Sequence, residues 1–88
     1  MRFEVLVEVR LRPGIADPQG ATIERALPAL GFTGVDGVRV GKAIRFAIEA
    51  ADEDEARRHT SDMVERLLSN PVIEEADIEV RATAGAGG

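Results

Sequence analysis

Between Phe3 and Leu11 the chain repeats with a period of two: Phe3, Val5, Val7, Val9 and Leu11 share one parity, while Arg2, Glu4, Glu8, Arg10 and Arg12 share the other. Successive side chains of an extended chain point to opposite faces, so this pattern predicts a strand buried on one side and solvated on the other. Such a strand needs neighbouring strands and a covering layer, which restricts the chain to a sheet-based fold. Leu6 interrupts the polar face; it reads first as a tolerated exposed leucine and second as a contact with another copy of the chain.

The 88 residues suffice for one domain, expected over positions 1–83 and followed by a flexible Gly/Ala tail over 84–88. Below roughly 70 to 80 ordered residues a core alone seldom supplies more than about 3 to 5 kcal/mol. This chain lies just above that limit and has no cysteine for a disulfide, so association with other chains is the expected support. A formal charge of −5, three Phe and no Tyr or Trp argue against a phosphate-tracking surface or a base-stacking platform, hence against nucleic acid as a partner. The chain opens without a basic leader and an apolar run, and nowhere holds eighteen consecutive apolar residues. The expectation is a soluble cytoplasmic protein with no membrane contact.

Pro13-Gly14 ends the first strand, and Asp17-Pro18 marks a helix start: the Asp carboxylate accepts from free N–H groups, and Pro occupies a position where no N–H is needed. Ile23, Ala26, Leu27 and Leu30 form the apolar stripe of this first helix, with Gly31 placed to close it and Pro28 expected to loosen its last turn. Val38, Val40, Ile44, Phe46 and Ile48 share a parity opposite Arg39, Arg45 and Glu49, predicting a long second strand from Gly37 to Ala50. By that alternation Lys42 faces the apolar side, which calls for a bulge at Gly41 or an anionic partner. Asp52 and Glu55 resemble a capping box, and Ala56, Thr60, Met63, Val64, Leu67 and Leu68 follow the helical period up to Asn70-Pro71. Ile78, Val80 and Ala82 then alternate with Asp77, Glu79 and Arg81 in a short final strand. The predicted fold is α+β: a mainly antiparallel three-stranded sheet with a long, bent second strand and two helices on one face, in the order βαβαβ. If the second strand splits at Gly41-Lys42, the alternative is ferredoxin-like βαββαβ.

Candidate chemistry is sparse. His59 lies between Glu55 and Met63 on the second helix, but no Ser, Cys or second His accompanies it, so a solvated histidine is expected and not a general base. The carboxylates of Glu53, Asp54 and Glu55 sit where acids favour a helix N-terminus, and no Mg²⁺ site is assigned to them or to Glu74, Glu75, Asp77 and Glu79. Gly41-Lys42 fails as the end of a phosphate loop, because Asp36 stands where glycine is needed and Ala43 where Ser or Thr is. The loop from Arg12 to Gly20 is richer in special residues than a connection requires. Gly20 costs helix stability, and a glycine so early in a helix is either neutral or lets another backbone approach closely, the sequence leaving both open.

That loop, Arg12-Pro-Gly-Ile-Ala-Asp-Pro-Gln-Gly20, resembles the (Lys/Arg)-Pro-Gly-x-x-Asp-Pro-Gln-Gly signature of the PurS subunits of phosphoribosylformylglycinamidine synthase. Leu30-Gly31-Phe32, Val38-Arg39-Val40-Gly41-Lys42 and Leu67-Leu68-Ser69-Asn70-Pro71-Val72-Ile73-Glu74 are similar to the family's later blocks, in order, so the resemblance spans nearly the whole chain. Val64 and Ala76 depart from the family's usual residues. The resemblance implies a non-catalytic connector in a purine-pathway ligase, between a glutaminase that releases ammonia and an ATP-dependent synthetase. It implies self-association as a dimer or tetramer, with no cofactor on this chain although the complex uses ATP and Mg²⁺. It also makes Asp17, Gln19, Gly20, Arg39, Gly41 and Lys42 candidates for inter-subunit contact, with Asn70 and Pro71 beside them. A structural role is favoured for Asp17 and for Asn70-Pro71. The competing reading is a dimeric module that binds a small regulatory molecule.

Overall fold

A computed structural model of the protein describes residues 1–83; the tail expected to be flexible lies outside them. Three strands form one antiparallel sheet: β1 (Arg2–Leu11), β2 (Gly41–Glu49) and β3 (Glu74–Ala82), in the order β2-β1-β3. The helices are α1 (Pro18–Ala26) and α2 (Glu53–Met63), giving the expected βαβαβ order. β2 is a single strand, so the ferredoxin-like alternative is not realised.

The central strand supplies the core. Phe3, Val5, Val7 and Val9 are no more than 3% exposed, and Ala50, Ala56 and Val80 join them. Each side of β1 is paired over nearly its whole length, Val7 lying opposite Ile44 on one side and Ile78 on the other. The opposite face of β1 stays polar, with Leu6 half-buried between Arg45 and Glu79.

Asp52 starts α2, its carboxylate accepting the Glu55 N–H at 2.8 Å, while the Glu55 carboxylate returns to the Ala51 N–H at 2.9 Å. The helix lies against β3 and buries Ala56 and Thr60 completely. Beyond Met63 it widens into a π-type turn, Val64–Leu68, closed by the Ser69 N–H on the Val64 carbonyl. The widened turn breaks the 3.6-residue period, so Leu67, expected in the stripe, is 81% exposed.

Two strand boundaries differ from the expectation. β2 begins at Gly41, not Gly37, because β1 runs only one residue past Arg10, the partner of Gly41, before the turn at Pro13-Gly14 leaves residues 37–39 without a facing strand. The N–H groups of Val38 and Val40 go instead to the carboxylates of Glu24 and Asp17. β3 is nine residues long, not short. Its acidic first half pairs with β1, where Arg10 bonds Glu75 at 3.2 Å and Asp77 at 2.7 Å. The Asp77 carboxylate above all, then Glu75, holds the Arg10 guanidinium in its charged form and raises its pKa.

Helix α1 ends at Ala26, and Pro28 opens a 3₁₀ turn, Pro28–Leu30, closed by Gly31 at a φ of 94°. This is the loosened last turn that a proline without an N–H imposes. The predicted stripe exists but is not buried in its own chain: Ile23 is 45% exposed and Leu30 70%. The molecule is accordingly extended. Its radius of gyration is 17.1 Å, against about 12 Å for a compact chain of this length.

Candidate functional site

Three segments far apart in sequence meet at one pole of the sheet, where β1 ends and β2 and β3 begin. They are the loop 12–20, the segment 38–42 and the turn 70–74. Arg12 ties the first to the third: its backbone N–H donates to the Ile73 carbonyl at 2.8 Å, and its Nε and Nη2 donate to the Pro71 carbonyl at 3.1 and 2.9 Å. Asn70 forms the turn itself, its Oδ1 accepting from the Val72 N–H and its carbonyl from the Glu74 N–H.

Asp17 ties the loop to the second segment. Its Oδ1 accepts the Gly20 N–H at 2.8 Å and its Oδ2 accepts the Val40 N–H at 2.7 Å, so one carboxylate caps α1 and anchors residues 23 positions away. The side chain is 6% exposed. The Gly20 N–H, then the Val40 N–H, lower its pKa, with Arg39 Nε at 3.9 Å adding to the effect against the opposing cost of burial. Arg39 reaches back to the same loop, donating from Nη1 to the Ile15 carbonyl at 3.1 Å and from Nη2 to the Arg12 carbonyl at 3.4 Å. Gly20 is the buried glycine of α1, and a Cβ there would collide with the Val38 carbonyl oxygen. Close backbone approach is therefore why glycine stands in the first helical turn. Gly41 has a similar reason: a Cβ would lie 2.7 Å from the Val9 carbonyl oxygen.

Four of the six candidate residues, Asp17, Gly20, Arg39 and Gly41, thus build the pole. Gln19 and Lys42 are exposed, as Arg39 and Gly41 are, but their side chains take no part in the hydrogen bonds of this frame among the described residues. They line a cleft of about 260 Å³ with Val9, Leu11, Pro18 and Val40. Lys42 does point to the apolar side, opposite Val9, but at the open end of the sheet, where its side chain remains in solvent. Neither the bulge nor the anionic partner expected for it is present among the described residues. Pattern reading passed over Arg12 and Glu24 as individuals. Glu24, whose carboxylate accepts the Val38 N–H at 3.0 Å, gives no sequence signal, because its partner is chosen by the fold.

His59 is exposed on α2, away from the pole. Among the described residues no group of three or more His, Cys, Asp or Glu side chains is placed to hold a metal ion, and no helix is long and apolar enough to cross a membrane.

A shaped pole made of backbone clamps, an open sheet and a helix whose apolar side is uncovered define a small assembly subunit. The family described as PurS, phosphoribosylformylglycinamidine (FGAM) synthase, matches residues 4–82. The PurS subunit of Synechocystis is 41% identical over 84 residues, covering 96% of this chain and 84% of the relative. That of Methanothermobacter thermautotrophicus is 38% identical over 85 residues, covering 97% and 100%. The crystal structure of Methanocaldococcus jannaschii PurS superposes with a TM-score of 0.83 at 34% identity, covering 92% of this chain and 98% of that one. A chain in the structure of PurLQS from Thermotoga maritima gives 0.84 at 33% identity, covering 92% and 99%. The chain belongs to the PurS family, the non-catalytic subunits of FGAM synthase, a ligase of purine biosynthesis.

Proposed function

We propose that this chain bridges the glutaminase and the ATP-dependent synthetase subunits of its enzyme in the cytoplasm. Ammonia released from glutamine then reaches formylglycinamide ribonucleotide and becomes the amidine nitrogen. The observation that carries this reading is the match, over 92% of the chain, to a chain in a PurLQS assembly. The geometry agrees with it, since the signature residues are spent on shaping a surface and not on a reacting centre. ATP and Mg²⁺ are then held by another subunit, and this chain holds no cofactor.

The proposal includes self-association, supported by the exposed apolar side of α1 and by the extended shape. It also assigns the pole to contacts with the other subunits: Gln19 and Lys42 offer free donors at the cleft, on a frame held by Asp17, Gly20, Arg39 and Gly41.

The test is amidine formation by the purified glutaminase and synthetase, with and without this chain, driven by glutamine or by ammonia. The expected result is that glutamine-dependent turnover requires the chain, ammonia-dependent turnover does not, and light scattering shows a complex of all three. If neither rate nor assembly changes, the bridging role is wrong, and binding of a small regulatory ligand by the isolated chain becomes the reading to pursue.

A further inference from the structure

Four charged side chains border the cleft between α1 and the start of β2: Arg10, Asp17, Lys42 and Glu74. Three of them are already committed within the chain. Arg10 donates to Asp77 at 2.7 Å and to Glu75 at 3.2 Å. Asp17 gives one oxygen to the Gly20 N–H and the other to the Val40 N–H. The Glu74 carboxylate accepts the Asn70 N–H at 2.7 Å. Lys42 is the exception: it stands opposite Val9 in the strand register, and among the described residues no carboxylate lies at ion-pair distance from its ammonium.

In the free chain water satisfies that ammonium. When another subunit covers the pole the water is lost, and the apolar floor of the cleft, which includes Val9, Pro18 and Val40, offers the charge nothing in return. A charge removed from water without an opposite charge is strongly penalised, and a neutral acceptor does not balance it. The covering surface must therefore bring an anion. Asp17 and Glu74 stand on the same rim and repel a doubly charged group such as a phosphate, whereas one carboxylate matches the one uncommitted ammonium.

We infer that the cleft receives a single Asp or Glu side chain of another subunit of the enzyme, one oxygen paired with Lys42 and the other accepting from the Gln19 amide, its methylene stem resting on Val9 and Val40. The inference rests on the proposed bridging role and adds to it the chemistry of the group that docks.

Lys42 is the chain's only lysine, and its one other amine, at Met1, donates to the Ala50 carbonyl at the opposite end of β1. A carbodiimide joins an amine directly to a carboxylate in contact with it. Applied to the assembled three-subunit complex, followed by digestion and mass spectrometry, it is expected to yield a peptide in which Lys42 is joined to an Asp or Glu of the glutaminase or the synthetase. In parallel, Lys42→Gln keeps hydrogen-bonding capacity and removes the charge. It is expected to bind at least about tenfold more weakly at low salt, and its affinity should fall less steeply than the parent's as sodium chloride is raised. A complex in which Lys42 links to a carboxylate of its own chain or of a second copy, or to none, overturns the inference and leaves the bridging role standing. So does a Lys42→Gln chain that matches the parent at every salt concentration. A parent chain that assembles with neither subunit overturns both. The cross-link is read on the parent chain, so it decides the matter even if circular dichroism shows Lys42→Gln to be unfolded.

Discussion

Gly20 sits directly beneath the carbonyl oxygen of Val38, with no volume between them for a side chain. The first turn of α1 and the approach to β2 are therefore in backbone contact, and the direction of α1 depends on it. Gly20→Ala must push the two apart, and the opposing atom is backbone that cannot rotate away. The expected cost is about 2 kcal/mol, the usual scale for overpacking, read as a lower urea midpoint with an unchanged m-value. Gly14, with open space around it, is the contrasting position. It has a φ of 86°, so Gly14→Asn tests conformational tolerance without a clash.

Asp17 needs both carboxylate oxygens, one for Gly20 and one for Val40. Its pKa is lowered in the folded state, so the stability it contributes is complete above the unfolded value of 3.8 and is lost as pH falls through the folded pKa. Asp17→Asn keeps one acceptor and turns an NH₂ toward a second donor. The variant is expected to melt roughly 5 °C lower at pH 7, and the gap to the parent should narrow as pH is taken below about 4. A gap that stays constant down to pH 2 would count against the carboxylate as the anchor.

Lys42 lies in solvent at the rim of the cleft, so Lys42→Ala should leave the melting temperature within about 2 °C of the parent, as surface changes do. If the pole meets the other subunits, the same change weakens assembly of the three-subunit complex and lowers glutamine-dependent turnover while sparing the ammonia-dependent rate. Titration by light scattering separates a weaker complex from a slower one. Unchanged assembly would remove Lys42 from the interface.

Thr60 is fully buried on α2, and its hydroxyl has no hydrogen-bond partner among the described residues. An unpaired buried hydroxyl carries its desolvation cost uncompensated. Replacing it with the similarly shaped Val should raise stability by about 1 kcal/mol, measured by urea unfolding of the purified chain. Loss of stability in Thr60→Val would mean that the hydroxyl is satisfied in solution.

What the sequence determined by itself are the features whose causes lie within a few residues. The alternation of Phe3 to Leu11 gave β1 its buried face, Asp17 and Asp52 placed the helix starts, and Pro28 ended regular helix just before itself, because capping and steric exclusion are local. The blocks at 12–20, 30–32, 38–42 and 67–74 also carried the family resemblance. What only the tertiary structure decided depends on which groups lie opposite one another. β2 starts at Gly41 because β1 runs only one residue beyond Arg10, its partner there, although Val38 and Val40 keep the strand parity. β3 extends into an acidic run because Arg10 stands across from it. Lys42 escapes burial because the sheet is open at its end, and Asp17, Gly20 and Arg39 become frame while Gln19 and Lys42 remain surface. A side chain's parity is written in the chain, but whether that side is covered is set by packing between distant segments.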